Sequence, residues 1–117
     1  MTLDINQLAA QQLRDRDAGT PGTIFAEQVS LTQEQAYAVA NEVSRLRAAR
    51  GETIVGYKVG CTSEAIRQQF GLSEPICGCL MAPHVTYGDT VLNYSDYFDC
   101  AVEPEFVLVI GRDLADE

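Results

Sequence analysis

Glu103-Pro104-Glu105 is the stretch of this sequence whose residue types and spacing are best suited to chemistry. Side chains two apart on a strand point to the same face, so both carboxylates can reach one point. Two acids held together away from water repel each other unless protons or a cation neutralise them. Their hard oxygens suit Mg²⁺ or Mn²⁺ rather than zinc, with waters and a ligand completing an octahedron. The alternative is that both sit at the wet end of an edge strand, where the N–H that Pro104 lacks costs nothing.

Lys58 is the only lysine in the chain and lies within Ile54-Val55-Gly56-Tyr57-Lys58-Val59-Gly60. Alternation places Gly56 and Gly60 on its own face, leaving open space beside the amine. A ligand anion or a carbonyl fits such a space, and partial desolvation would lower the amine's pKa and help proton transfer. The other reading is a strand lysine whose head group simply reaches water.

The remaining reactive side chains point to less. Cys61, Cys77, Cys79 and Cys100 match no zinc or redox spacing and are expected as reduced thiols filling small core positions. His84, the sole histidine, follows Pro83 in a loop. Without a paired Ser, Cys or Asp motif it suits a turn or surface role rather than a triad. The glycines form neither G-x-G-x-x-G nor a phosphate-cradling loop, so nucleotide binding has no support.

The elements that must position these groups follow from periodicity. Ile5, Leu8, Ala9 and Leu13 recur at helical spacing after Asp4, an N-cap, and before Gly19, predicting a helix over 4–16. Residues 17–31 carry Gly19, Pro21 and Gly22 and read as a loop. Thr32 with Gln35 forms a capping box, and Ala36, Val39, Ala40, Val43 and Leu46 make one apolar stripe ending at Gly51, a second helix that packs on a sheet or a neighbouring helix. The β-branched and aromatic run 53–59 predicts a strand, after which Thr62 or Ser63 caps a short helix ending at Phe70 and Gly71. Pro75 and Gly78 flank a turn, residues 79–82 form a brief strand, and 101–110 form a long apolar strand that begins with the two acids. With so apolar a strand seven residues from the end and nothing after it to cover it, the sequence reads as the front part of a longer protein.

A length of 117 residues, 46% of them hydrophobic, fits one domain and disfavours two. Seventeen acidic side chains against eight basic ones give a net charge of −9, which repels nucleic acid and anionic membranes and favours cations or cation-bridged ligands. The imbalance belongs to the second half: six acids and five bases precede Gly51, and eleven acids and three bases follow it. No apolar run reaches the roughly 18 to 20 residues that cross a bilayer, and no basic-then-apolar leader opens the sequence. The expected compartment is the cytoplasm.

Three blocks then resemble a known family. Gly56-Tyr57-Lys58-Val59-Gly60-Cys61-Thr62-Ser63, the run from Phe70 to Ile76 with Gly78 and Leu80, and Val102-Glu103-Pro104-Glu105-Phe106 through Gly111-Arg112-Asp113-Leu114 are similar to the 2-keto-4-pentenoate hydratases. These, with the 2-oxo-acid decarboxylases, form a branch of the fumarylacetoacetate hydrolase family. Gln35-Ala36-Tyr37 also resembles the helix preceding the lysine strand there, so the resemblance covers about residues 32–114.

The resemblance implies an α+β protein. An N-terminal helical region, 1–52, would precede the first part of a β-rich catalytic domain, 53–117, with a mixed rolled sheet that is incomplete. It implies Mg²⁺ or Mn²⁺ on Glu103 and Glu105 and Lys58 lining the same pocket, where it holds the substrate carboxylate or moves a proton. The implied reaction adds water to a small 2-hydroxydienoate, giving a 4-hydroxy-2-oxo acid, in aromatic-compound catabolism. A 2-oxo-dicarboxylate decarboxylase and a non-catalytic fragment acting only in subunit assembly are the alternatives. A homo-oligomer is expected, and so is association with a related decarboxylase or hydratase subunit. The family's third metal-ligating carboxylate lies on a later segment, beyond Glu117, so residues 1–117 alone are expected to bind metal poorly and turn over little.

Overall fold

The computed structural model describes residues 4–22 and 29–113, which form an α+β arrangement of three helices and one pair of strands. Helix α1 runs Ile5–Asp17, and the Asp4 carboxylate accepts from the Gln7 N–H to cap it. Helix α2 runs Gln33–Ala49 behind a full capping box: Thr32 Oγ1 accepts from the Gln35 N–H, and the Gln35 side chain accepts from the Thr32 N–H. The predicted 17–31 loop is described only at its two ends; residues 23–28 lie outside the described residues.

The two helices pack on each other, and Ala9 and Val39 are buried in the process. Arg50, at the C-terminal end of α2, clamps the end of α1 by donating from both Nη atoms to the Asp17 carboxylate at 2.6 and 3.1 Å. Arg47 is itself buried and donates to Glu52, the acid that leads the chain out of α2. Charge and caps thus fix the helical pair as much as apolar burial does.

Strand β1, Ile54–Gly60, pairs antiparallel with β2, Ile76–Met81. The register places Lys58 opposite Gly78, Gly56 opposite Leu80 and Gly60 opposite Ile76, with an irregularity between Ile54 and Gly56. β2 therefore begins earlier than expected, and Gly78, placed in a turn from the sequence, is a mid-strand residue. A glycine was read as a breaker where cross-strand pairing overrides local preference. Helix α3, Glu64–Phe70, joins the strands: Ser63 Oγ caps its start, and Gly71 at φ 67 ends it in the left-handed conformation that favours glycine.

Met81 is 2% exposed and anchors β2 at the helices, while the Tyr37 hydroxyl accepts from the Cys77 N–H at 3.1 Å. The cysteines are free, but Cys77 and Cys100 are exposed and Cys61 and Cys79 only partly covered, so they do not act as core residues. The packing that would bury them is absent among the described residues. Among those residues, too, no helix is long and apolar enough to cross a membrane.

The expected strand over 101–110 does not form. Its backbone joins no ladder among the described residues, and Val102, Phe106, Val107, Leu108 and Val109 are each more than four-fifths exposed. A strand is defined by its partner's hydrogen bonds, and the apolar sequence cannot supply one. The radius of gyration, 16.0 Å, exceeds the roughly 13 Å of a compact chain this long.

Candidate functional site

Lys58 stands in the middle of β1, and its position on the strand follows from the Val and Tyr residues around it, which favour the extended backbone. The register sets its surroundings. A Cβ built on Gly56 would lie 3.6 Å from Leu80 Cδ1, and one on Gly60 would lie 3.5 Å from Ile76 Cγ1, so these two apolar side chains lean across the glycines on either side of the lysine. A Cβ on Gly78, directly opposite, meets nothing within 4 Å. The space expected at Gly56 and Gly60 is thus covered by Leu80 and Ile76, and the open position on this face is Gly78 of the partner strand.

From this floor the Lys58 Nζ donates to Glu105 Oε1 at 2.6 Å. It also lies 3.4 Å from the Val59 carbonyl. Both partners of the ion pair are about half exposed, at 46% and 47%. The hydrogen bond to Glu105 raises the lysine's pKa above its ordinary value, and the charges of Glu105 and Glu103 act in the same direction. The expected lowering by desolvation is thus overturned: desolvation is present but is outweighed by the acids. Lys58 thus meets Glu105 across 47 positions and also feels the charge of Glu103.

Glu103 and Glu105 offer hard oxygen donors of the kind Mg²⁺ and Mn²⁺ take, so in donor type they fit a divalent cation. Among the described residues, no three His, Cys, Asp or Glu side chains gather into a group that could hold a metal ion. Two clefts, of about 380 and 480 Å³, run along α2 and include none of these three residues.

His84 occupies a short 3₁₀ turn, Ala82–His84, as expected of a turn residue, but it has a specific partner: Arg16 Nη2 lies 2.7 Å from His84 Nε2. Nothing in the sequence pairs two residues 68 positions apart, and this contact is invisible before folding. The Tyr37 contact to Cys77 is of the same kind, joining residues 40 positions apart.

No protein-family model matches the sequence. A 2-keto-4-pentenoate hydratase from Paraburkholderia phymatum is 41% identical over 83 residues, covering 70% of this chain and 31% of that protein. One from Burkholderia vietnamiensis is 34% identical over 119 residues, covering 97% and 45%. Among solved structures, 4-oxalocrotonate decarboxylase from Pseudomonas putida G7, complexed with magnesium and adipate, superposes with a TM-score of 0.60 at 33% identity over 68% of this chain and 32% of that one. The chain is thus similar to a part of these hydratases and of the decarboxylase. It spans 31% and 45% of the length of these two hydratases. The likeness to the hydratases and to the decarboxylase agrees with the α+β fold and with the family named from the three sequence blocks.

Proposed function

We propose that the chain supplies the lysine and two metal-binding carboxylates of a hydratase acting on a small 2-hydroxydienoate. Glu103 and Glu105 would hold Mg²⁺ or Mn²⁺, and the structural relative with bound magnesium supports this. When bound, the cation supplies Lewis-acid polarisation of a 2-oxo acid. Lys58 either holds the substrate carboxylate or moves a proton, and its hydrogen bond to the Glu105 carboxylate supports the binding role. In the overall reaction the enol proton leaves O2 as C5 gains a proton, and water then bonds C4 as C3 takes one, giving a 4-hydroxy-2-oxo acid.

The observation that carries this reading is the 2.6 Å contact between Lys58 and Glu105, which joins the cationic and anionic halves of the site across 47 positions. The same reading places the helical region at 1–52 and the start of the catalytic domain at 53–117, and takes the working form as an assembly, either of this chain or with a related subunit. The exposed apolar run after Glu105 supports that last point.

Manganese titration followed by electron paramagnetic resonance tests the site. Wild type should bind Mn²⁺ more tightly than the Glu103→Ala, Glu105→Ala double variant, and equal binding would refute the metal role. The likeness to a decarboxylase holding a dicarboxylate favours a second reading, decarboxylation of a 2-oxo diacid. Turnover of the diacid alone, with release of CO₂, would establish it in place of hydration.

A further inference from the structure

The geometry points to a specificity surface beside Lys58: Ile76 and Leu80 form an apolar contact for the hydrocarbon tail of a 2-oxo acid, and Gly78 leaves the room for it. This rests on the reading above, in which Lys58 faces the substrate.

The register is the starting point. Gly56, Lys58 and Gly60 share one face of β1, and Leu80, Gly78 and Ile76 stand opposite them in that order. Leu80 and Ile76 lie over the two β1 glycines at ordinary van der Waals distance. Each keeps more than a third of its surface exposed, at 37% and 39%, so apolar area remains for a ligand to cover. Between them, Gly78 opposes the lysine and leaves the space above it empty. The result is a gap over Gly78, on the face that carries Lys58, with a branched aliphatic side chain at each end.

A 2-oxo acid whose carboxylate is held at Lys58 must pass its remaining carbons over one of these shoulders. A hydrocarbon tail gains by removing that area from water. A second carboxylate gains nothing there, because it would be desolvated against Ile76 or Leu80. The surface therefore selects monocarboxylates with an apolar tail over dicarboxylates, and a side chain at position 78 would shorten the tail that fits.

The test uses purified residues 1–117 with Mg²⁺ and three probes, pyruvate, 2-oxohexanoate and 2-oxoadipate, followed by amide shifts in heteronuclear NMR. Pyruvate reads the head-group interaction alone, and the two six-carbon acids differ only at the tail end. The expected order places 2-oxohexanoate about fivefold tighter than pyruvate, with 2-oxoadipate weaker than 2-oxohexanoate. Gly78→Leu should bring the 2-oxohexanoate to pyruvate ratio close to one, and so should Ile76→Ser combined with Leu80→Ser. Circular dichroism of each variant checks folding, and Gly78→Ala, whose methyl meets no atom, provides the mild step in the series. Pyruvate binding with a ratio insensitive to all these changes, or 2-oxoadipate binding as tightly as 2-oxohexanoate, overturns the specificity surface and leaves the proposed function standing. No pyruvate-induced shift around Lys58 in wild type overturns the carboxylate-holding role of Lys58 and, with it, the specificity surface.

Discussion

Lys58 Nζ and Glu105 Oε1 stand 2.6 Å apart, joining the middle of β1 to a segment that has no ladder of its own. The contact ties residues 101–113 to the strand pair where backbone hydrogen bonds do not. It also places the amine in competition with any cation for the same carboxylate.

Replacing Lys58 with Met should therefore strengthen Mn²⁺ binding, roughly fivefold, because a positive charge beside the carboxylates is removed. The same variant should lose the pyruvate-induced shifts. Free-Mn²⁺ signal in a paramagnetic resonance titration measures the first and NMR the second. Unchanged or weaker Mn²⁺ binding would show that Lys58 and the metal do not share Glu105.

Met81 is the most buried side chain of the strand pair, and few others share the apolar load. Met81→Ala should cost about 3 kcal/mol and broaden the thermal transition followed by circular dichroism. A loss under about 1 kcal/mol would mean the site collapses onto the smaller side chain.

The Arg16–His84 contact makes stability depend on pH. A guanidinium only donates, so His84 Nε2 must accept and the ring must be neutral. Burial, with Arg16, Arg47 and Arg50 nearby and only Glu52 opposing, lowers the His84 pKa in the folded chain. In the window between that lowered value and the unfolded value of about 6.5, the unfolded chain binds more protons, so stability rises with pH. It is fully present above pH 6.5 and falls as acid passes through the folded pKa. Further down, Asp17, held low by its hydrogen bond to Arg50, and Glu52, held low by Arg47, lose their contributions as they are protonated. Urea denaturation at a series of pH values should show a lower midpoint at pH 5 than at pH 7.5, and His84→Gln should flatten that part of the profile. An unaltered slope in the variant would place the dependence elsewhere.

The helices were legible because their signals are local. Asp4, the Thr32–Gln35 box, Ser63 and Gly71 each act within a turn of the residue they cap. β1 was legible from its branched and aromatic residues. Gly78 and the run after Glu103 were not, because both depend on what lies across from them: a partner strand made one extended and ladder-bound, and the lack of one left the other unpaired. Type and spacing singled out Lys58, Glu103 and Glu105, but the raised pKa of Lys58 was not foreseeable from β1 alone. It comes from a segment more than forty residues away.

Phe106 to Ile110 presents five consecutive apolar side chains to water, none of them less than 62% exposed. In a crowded cell such a stretch is a recognition signal for chaperones and proteases, and two copies can stack it into cross-strand aggregates. Glu103 and Glu105 on one side and Arg112 and Asp113 on the other bracket it with charge, the arrangement by which flanking gatekeepers slow such stacking. The acids proposed to hold a cation would then have a second task, and neutralising them would carry a solubility cost: Glu103→Ala, Glu105→Ala removes the guard on one side of the run.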